Sequence, residues 1–487
     1  MKRLAIVLLC LVCCLLVFVA CKTKEETPAD LVEVPPSVPA DTCEHEWNLT
    51  AFVTEETTVA FAGEFTCKKC QKQEVRSFSY TDIDIPLINV VGDVSSFRTE
   101  SGRIDQDVKV SVGLTYQSAD LSLDCAATLK IQGKSTATDD KNNFSVNLLD
   151  ESGDKKKVAF KDSWGAGYKY VLKSNYADPS SVRNIALSSL YGQVAHGVNL
   201  ADHYTYLVNC GAVDGYPVLV YLNGRYHGLY NWVIRKDKWL YGMGNESAGE
   251  AVLEGSDMDP LTSDEGVVML PEGMTSAKSW EEEYVNENFG EEGWAEKSFN
   301  EMLFAIRNAS AAEIRAAIAD YTELQRTLDV MLFNCVFGTA DNVCGNQVWC
   351  TFDGKKWAPV VYDLDRALGR SGNCLIEPDE DVWELIGQNV LYDKIIHAYF
   401  EEIKARYLAL RNGVFTVENV MSVIREKLRG VDDKYFLAEL EKWPDASWRD
   451  YDGSELITGF DVELRLMEDY LTARFAYCDS FFGRQTA

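Results

Sequence analysis

Short apolar or alternating runs follow one another from about residue 85 to residue 230. Leu87 to Val91, Val108 to Leu114 and Ala127 to Ile131 each fit a strand, and each is bounded by Gly, Ser or Asp. Further strands are expected at Asn143 to Leu149, Tyr168 to Lys173 and Pro217 to Leu222. Asn223-Gly224 then separates Leu222 from the run Arg225 to Tyr230, and Asn-Gly between apolar runs is a strong hairpin signal. Beyond residue 310 the period changes. Ala312 to Asp320, Leu324 to Phe337, Tyr392 to Leu410, Val417 to Leu428 and Glu463 to Phe482 carry apolar residues three and four apart, the helical spacing. Between the first helices and the rest, Gln347 to Phe352 and Lys356 to Val361 flank Asp353-Gly354 as a short strand pair. The pattern predicts an α+β protein, with a mostly antiparallel sheet early and helices late.

The first forty residues belong to no such pattern. Lys2 and Arg3 precede an uncharged run from Leu4 to Ala20, which is short for a membrane span. It ends at Phe18-Val19-Ala20-Cys21, similar to the lipobox of bacterial lipoproteins, in which the cysteine is acylated and the chain is cut before it. An ordinary secretory signal is the alternative. The expectation is a signal peptide over 1–20, lipidation at Cys21, and an extracytoplasmic envelope protein held to a membrane by lipid. Residues 21–42, rich in Glu, Pro, Thr and Lys, read as a disordered tether.

Charge narrows the partners. Lys+Arg 47 against Asp+Glu 76 gives a net charge of -29, which disfavours nucleic acid and anionic lipid surfaces and is compatible with cationic or metal-bridged ligands. Acid is densest from Glu246 to Glu301, where a solvated, partly mobile insertion is expected.

Of the 14 cysteines, Cys43, Cys67 and Cys70 cluster early in the chain, with His45 two positions after Cys43. Cys43-Glu44-His45 followed by Cys67-Lys68-Lys69-Cys70 supplies four ligands for a structural, tetrahedral zinc ion in a ribbon-like module over 43–78. A Cys67–Cys70 disulfide, or an unligated set, stays open. So does the pairing of Cys125, Cys210, Cys335, Cys344, Cys350, Cys374 and Cys478, an odd number.

A series of motifs then occurs in order: Gln132-Gly133-Lys134-Ser135-Thr136; Tyr170 to Lys173, with Asn175 and Asp178; Arg183-Asn184; Tyr221 to Tyr230; Asp341 to Asn346; and Tyr362-Asp363-Leu364-Asp365. The series resembles the spore coat protein H (CotH) kinase family, with residues 79–487 as the domain. The resemblance implies an atypical protein-kinase-like fold, a β-rich lobe followed by a helical one. It also implies phosphoryl transfer from ATP, with Mg2+ or Mn2+, to Ser or Thr of an exported or surface protein. Asp341 and Asn346 have the five-residue spacing of a kinase catalytic loop, with Asp341 near the acceptor proton and Asn346 on metal. Asp363 is the first candidate for the carboxylate that chelates magnesium, and Asp365 the second. Lys141, Lys173 and Arg183 are the candidate phosphate cations, each weighed against an exposed surface role. Asn175 and Asp178 read as loop caps. One position departs from the pattern: Ile234 stands where an acidic residue is expected, with Glu254 as the alternative carrier of that charge. A noncatalytic surface module that binds a protein or glycan, with a structural divalent cation at Asp341, Asp363 and Asp365, is the competing reading. A solute-binding lipoprotein is weaker, because nothing reads as paired βαβ domains.

Overall fold

Asn223 and Gly224 both take positive φ, 53° and 75°, the backbone of a type I′ turn. They join β9 (Gly215–Leu222) to β10 (Arg225–Ile234). In the computed structural model the described residues are 42–97, 105, 107–133, 135–196, 207–255, 280–371, 374–375, 377–381, 389–446 and 457–484. The signal, Cys21 and nearly all of the tether lie outside them. No helix among the described residues is long and apolar enough to cross a membrane.

The described chain forms two compact units. One holds the Cys/His end, up to Asn48 together with Thr66–Gln73; the other holds Leu49–Phe65 and everything from Glu74 onward. Strands β1 (Trp47–Phe52), β2 (Ala62–Cys67) and β3 (Gln73–Ser77) make a three-stranded sheet in that order.

The larger unit is built on a closed barrel. Its strands are β4 (Leu87–Val91), β5 (Val110–Gln117), β6 (Ser122–Gln132), β7 (Asn143–Leu149), β8 (Lys169–Lys173), β9 and β10, in the order β10-β8-β7-β6-β5-β4-β9. The alternation expected of β5 is seen directly: Val110, Val112, Leu114 and Tyr116 are buried, while Ser111 and Gly113 are exposed. Antiparallel pairing runs through the barrel except where β4 meets β9 in parallel, Leu87 opposite Leu219. That seam closes what the sequence presents as an antiparallel sheet, and closure leaves no unpaired strand edge. A bulge between Tyr226 and Gly228 bends β10. Gly228 has φ 144°, and a Cβ there would lie 2.6 Å from Glu439 Oε1 and 2.9 Å from Lys141 Cε, so no larger residue fits.

Ten α-helices are described: α1 (Arg183–Ala195), α2 (Trp294–Asn308), α3 (Ile314–Tyr321), α4 (Leu324–Phe337), α5 (Ala340–Cys344), α6 (Val390–Ala398), α7 (Phe400–Arg411), α8 (Val417–Lys427), α9 (Asp433–Lys442) and α10 (Phe460–Arg484). The single helix expected over 392–410 is broken at Tyr399 into α6 and α7. The centre of the helical part is α4, buried at every position from Arg326 to Phe337. Two of its buried polar side chains are held from other parts of the fold: Arg326 Nε donates to the Pro359 carbonyl, and Asp329 accepts from Arg406 Nε at 2.8 Å. Gly338, at φ 64°, stops the helix in the left-handed conformation.

A second sheet bridges these parts. β11 (Ala251–Gly255), β12 (Trp280–Val285), β13 (Gln347–Thr351) and β14 (Trp357–Val360) pair in the order β12-β11-β13-β14. The acidic stretch expected to be a solvated insertion therefore contributes β12 and α2, with Trp280 and Phe299 buried against each other. Burial of those two rings outweighs the charge run that surrounds them. Residues 256–279 lie outside the described set.

Candidate active site

Helix α4 ends at Gly338, and one turn later α5 carries Asp341. Asn346 follows with φ 43°, and that left-handed turn swings its amide back so that Nδ2 donates to Asp341 Oδ2 at 2.9 Å. The five-residue spacing thus becomes a side-chain pair. From Asn346 the chain enters β13, turns at Asp353-Gly354, returns along β14, and delivers Tyr362, Asp363 and Asp365.

Asp363 is the best-held of these groups. Lys173, at the end of β8, donates from Nζ to Asp363 Oδ1 at 2.8 Å. Asn184 of α1 donates to the same oxygen at 3.3 Å, and its own Oδ1 accepts from the Leu364 amide. Asn342 Nδ2 reaches the Asp363 carbonyl. Asp363 adopts φ 55°, a conformation that costs about 1–3 kcal/mol and persists where surrounding contacts over-determine it. Burial alone would raise its carboxyl, but Lys173 more than offsets this and holds it below the usual range. Asp365 behaves oppositely. Burial, and then the Asp363 carboxylate beside it, push its carboxyl up to about 7. Burial works against the Lys173 ammonium too, yet Asp363 and Asp365 keep its pKa above the ordinary value.

Lys173, Asp341, Asn346, Tyr362, Asp363 and Asp365 line one cleft of about 410 Å³, inside the range of small-molecule sites. The barrel supplies Lys130, Gln132, Asn143 and Lys173; the chain after β10 supplies Arg235 and Lys236. The second sheet supplies Glu254, Glu281 and Glu283, and the loops supply Asp341, Asn346, Asp363, Asp365 and Arg366. Lys236 is buried, contacts the Glu254 carboxylate, lies 3.1 Å from Glu283 and sits 4.5 Å above the Tyr362 ring. Its burial lowers the ammonium pKa, against the pull of Glu283. Ile234 is fully buried in β10, opposite Tyr170, so the acidic charge near this end of the strand comes from Glu254 and Glu283. Lys236 and Glu283 belong to no motif in the sequence, and Asn184 and Asn342 lie within motifs that give them no role. Lys236 directly follows the Ile234-Arg235 departure, which was the available signal for it.

Lys141 and Arg183 are placed elsewhere. Lys141 is buried, and its three donors go to Glu439 Oε2 at 2.5 Å, the Leu229 carbonyl at 2.7 Å and the Ser174 carbonyl at 2.8 Å. An ammonium has three donors, so none remains for a ligand. Arg183 is buried against Asp178, Glu463 and the Ala367 carbonyl. Asp178 also accepts from the Ser180 and Arg183 amides at the start of α1, the capping role expected of it.

Cys43, His45, Cys67 and Cys70 come together, with ligand atoms all within 4.8 Å of one another. Burial opposes ionisation of Cys67, but the Cys70 amide, the His45 ring and the Lys69 and Glu46 amides hold its thiol down to about 5. Of the later cysteines, Cys350 is a buried thiol 3.6 Å from the Ala358 carbonyl.

The donor set of the cleft fits a nucleotide with a divalent cation. Hard carboxylate and amide oxygens adjoin lysine and arginine, and Asp365 is held near 7 beside an ionised Asp363, the situation that a bound cation reverses. Among curated proteins, no similar sequence is found. The family profile described as CotH kinase protein matches residues 129–478, a span that includes Lys173, Asp341, Asn346, Asp363 and Asp365. By that match over most of its length, the chain belongs to the CotH kinase protein family.

Proposed function

We propose that this chain is an extracytoplasmic protein kinase, anchored by lipid at Cys21, that phosphorylates Ser or Thr of exported or surface proteins. The observation that carries the reading is the meeting of two pairs, Lys173–Asp363 and Asp341–Asn346, in one cleft. ATP with Mg2+ or Mn2+ supplies the transferable phosphoryl group and neutralises charge on the nonreacting phosphates. Asp363, Asp365 and Asn346 hold the cation. Lys173 and Arg235 attract the phosphates, and Lys236 fixes the Glu254 and Glu283 carboxylates along the wall. Asp341 orients the acceptor hydroxyl and takes its proton, and Asn346 keeps the Asp341 carboxylate in place. The fold in this reading is kinase-like: the barrel stands for the nucleotide lobe, and α4 with its neighbours for the helical lobe.

The competing reading, a noncatalytic module with a structural cation at the same carboxylates, is favoured by one feature: Lys173 and Lys236 are already paired to carboxylates within the cleft. The protein without its export signal, incubated with radiolabelled ATP and Mg2+ or Mn2+, separates the two. Labelled protein is expected, and it should vanish in Asp363→Ala and in Asp341→Ala. No label, with thermal stabilisation by Ca2+ but none by ATP with Mg2+, sinks the kinase reading.

A further inference from the structure

The sequence leaves the Cys/His group with three fates: a metal site, a disulfide, or nothing. The side-chain geometry separates them. Cys43 Sγ lies 3.8 Å from Cys67 Sγ, and Cys70 Sγ lies 3.3 Å from His45 Nδ1. A disulfide needs sulfurs about 2.05 Å apart. Tetrahedral zinc, with legs of about 2.3 Å to sulfur and about 2.0 Å to nitrogen, sets sulfurs about 3.8 Å apart and sulfur from nitrogen about 3.5 Å apart. The observed spacings are edges of that tetrahedron. Moreover, Cys43 and Cys67 meet across 24 residues, and all four ligand atoms lie within 4.8 Å of one another.

The backbone is built for the same end. Gln71 donates its amide to the Cys67 carbonyl at 2.9 Å and takes φ 60°, closing the turn that brings Cys67 and Cys70 to one side. Lys68 N donates to the Glu46 carbonyl at 2.8 Å, tying the turn to the segment that carries Cys43 and His45. The His45 ring packs on Trp47 at 4.7 Å between centroids, which fixes its orientation. Lysines at 68, 69 and 72 supply positive charge beside the three cysteine sulfurs.

We propose that Cys43, His45, Cys67 and Cys70 bind one structural Zn2+ ion, with His45 coordinating through Nδ1. The four protein ligands close the coordination shell, so the ion performs no chemistry. It pins the entry to β1 against the end of β2 and the turn into β3, where the unit has little apolar surface of its own. The proposal stands apart from the kinase reading, and neither fails with the other.

Full chain purified under reducing conditions without added metal, then analysed by inductively coupled plasma mass spectrometry, should carry about one zinc per molecule. Cys67→Ser/Cys70→Ser should carry none, and His45→Cys, which restores a full thiolate set, should keep it. Cobalt exchanged into the wild-type chain should give thiolate-to-metal charge-transfer absorption and tetrahedral ligand-field bands, a readout that needs no variant to fold. Wild-type protein without zinc that also shows no cobalt bands, a Cys43–Cys67 or Cys67–Cys70 disulfide found by mass, or zinc retained in the double serine variant would each overturn the proposal.

Discussion

Lys141 and Lys173 invite comparison, because one stands just before barrel strand β7, the other ends β8, and both meet a carboxylate from far along the chain. Lys141 faces Glu439 of α9, is 2 % exposed, and spends every donor on protein atoms. Lys173 faces Asp363, is 13 % exposed, and lines an open cleft beside a second carboxyl held near 7. One ion pair joins the barrel to a helix. The other holds charges where a ligand can enter. The difference lies less in the pair than in what surrounds it: carbonyls close around Lys141, and more ionisable groups gather around Lys173.

Three substitutions test that contrast. The largest effect is expected from Lys141→Met, which leaves Glu439 without its cation and should cost about 3–5 kcal/mol of stability, measured by urea unfolding. Lys141→Met/Glu439→Gln should recover part of the loss, and equal stability of the single and double variants would refute the buried pair. Next, Lys173→Met should reduce phosphoryl transfer by about 10²–10³-fold, with a much smaller change in unfolding midpoint than Lys141→Met. A loss of stability matching that of Lys141→Met would erase the distinction. The smallest effect concerns Asp365→Asn. Native Asp365 holds its proton up to about pH 7, whereas the unfolded carboxyl releases it near pH 4, so the metal-free native state loses stability as pH rises through that interval. The variant lacks this slope. It should melt about 1–2 °C above wild type at pH 8 and level with it near pH 4, and Mg2+ should narrow the gap at pH 8. Parallel melting profiles across that range would count against a protonated Asp365.

Much of this was legible in the sequence, and the failures have physical causes. Strands β4 to β10 were readable because each alternates or is uniformly apolar between turn residues, and Asn223-Gly224 marked its hairpin. Barrel closure was not, since the β4–β9 pairing lies between residues remote in sequence. Helix α1 escaped because ten of its thirteen residues are buried, Arg183 and Asn184 included, so no polar face marks its period. At the site, the five-residue spacing marked Asp341 and Asn346, while Asp363 and Lys173 stood out as separate candidates and their pairing did not. Lys141 and Arg183 were misjudged as ligand cations because a buried, fully bonded lysine and an open one look alike in a sequence. Lys236 lay hidden because its partners, Glu254 and Glu283, arrive from a separate sheet.

The parallel seam has a consequence for how the molecule is made. β4 cannot find its neighbour β9 until the chain through Leu222 is available, and such a remote pairing carries a large loop-closure cost before it is rewarded. A chain that emerges amino end first must therefore hold an open strand edge at β4 while five further strands and α1 are delivered. Slow barrel closure, with aggregation through that edge as the competing outcome, is the vulnerable step in its biogenesis.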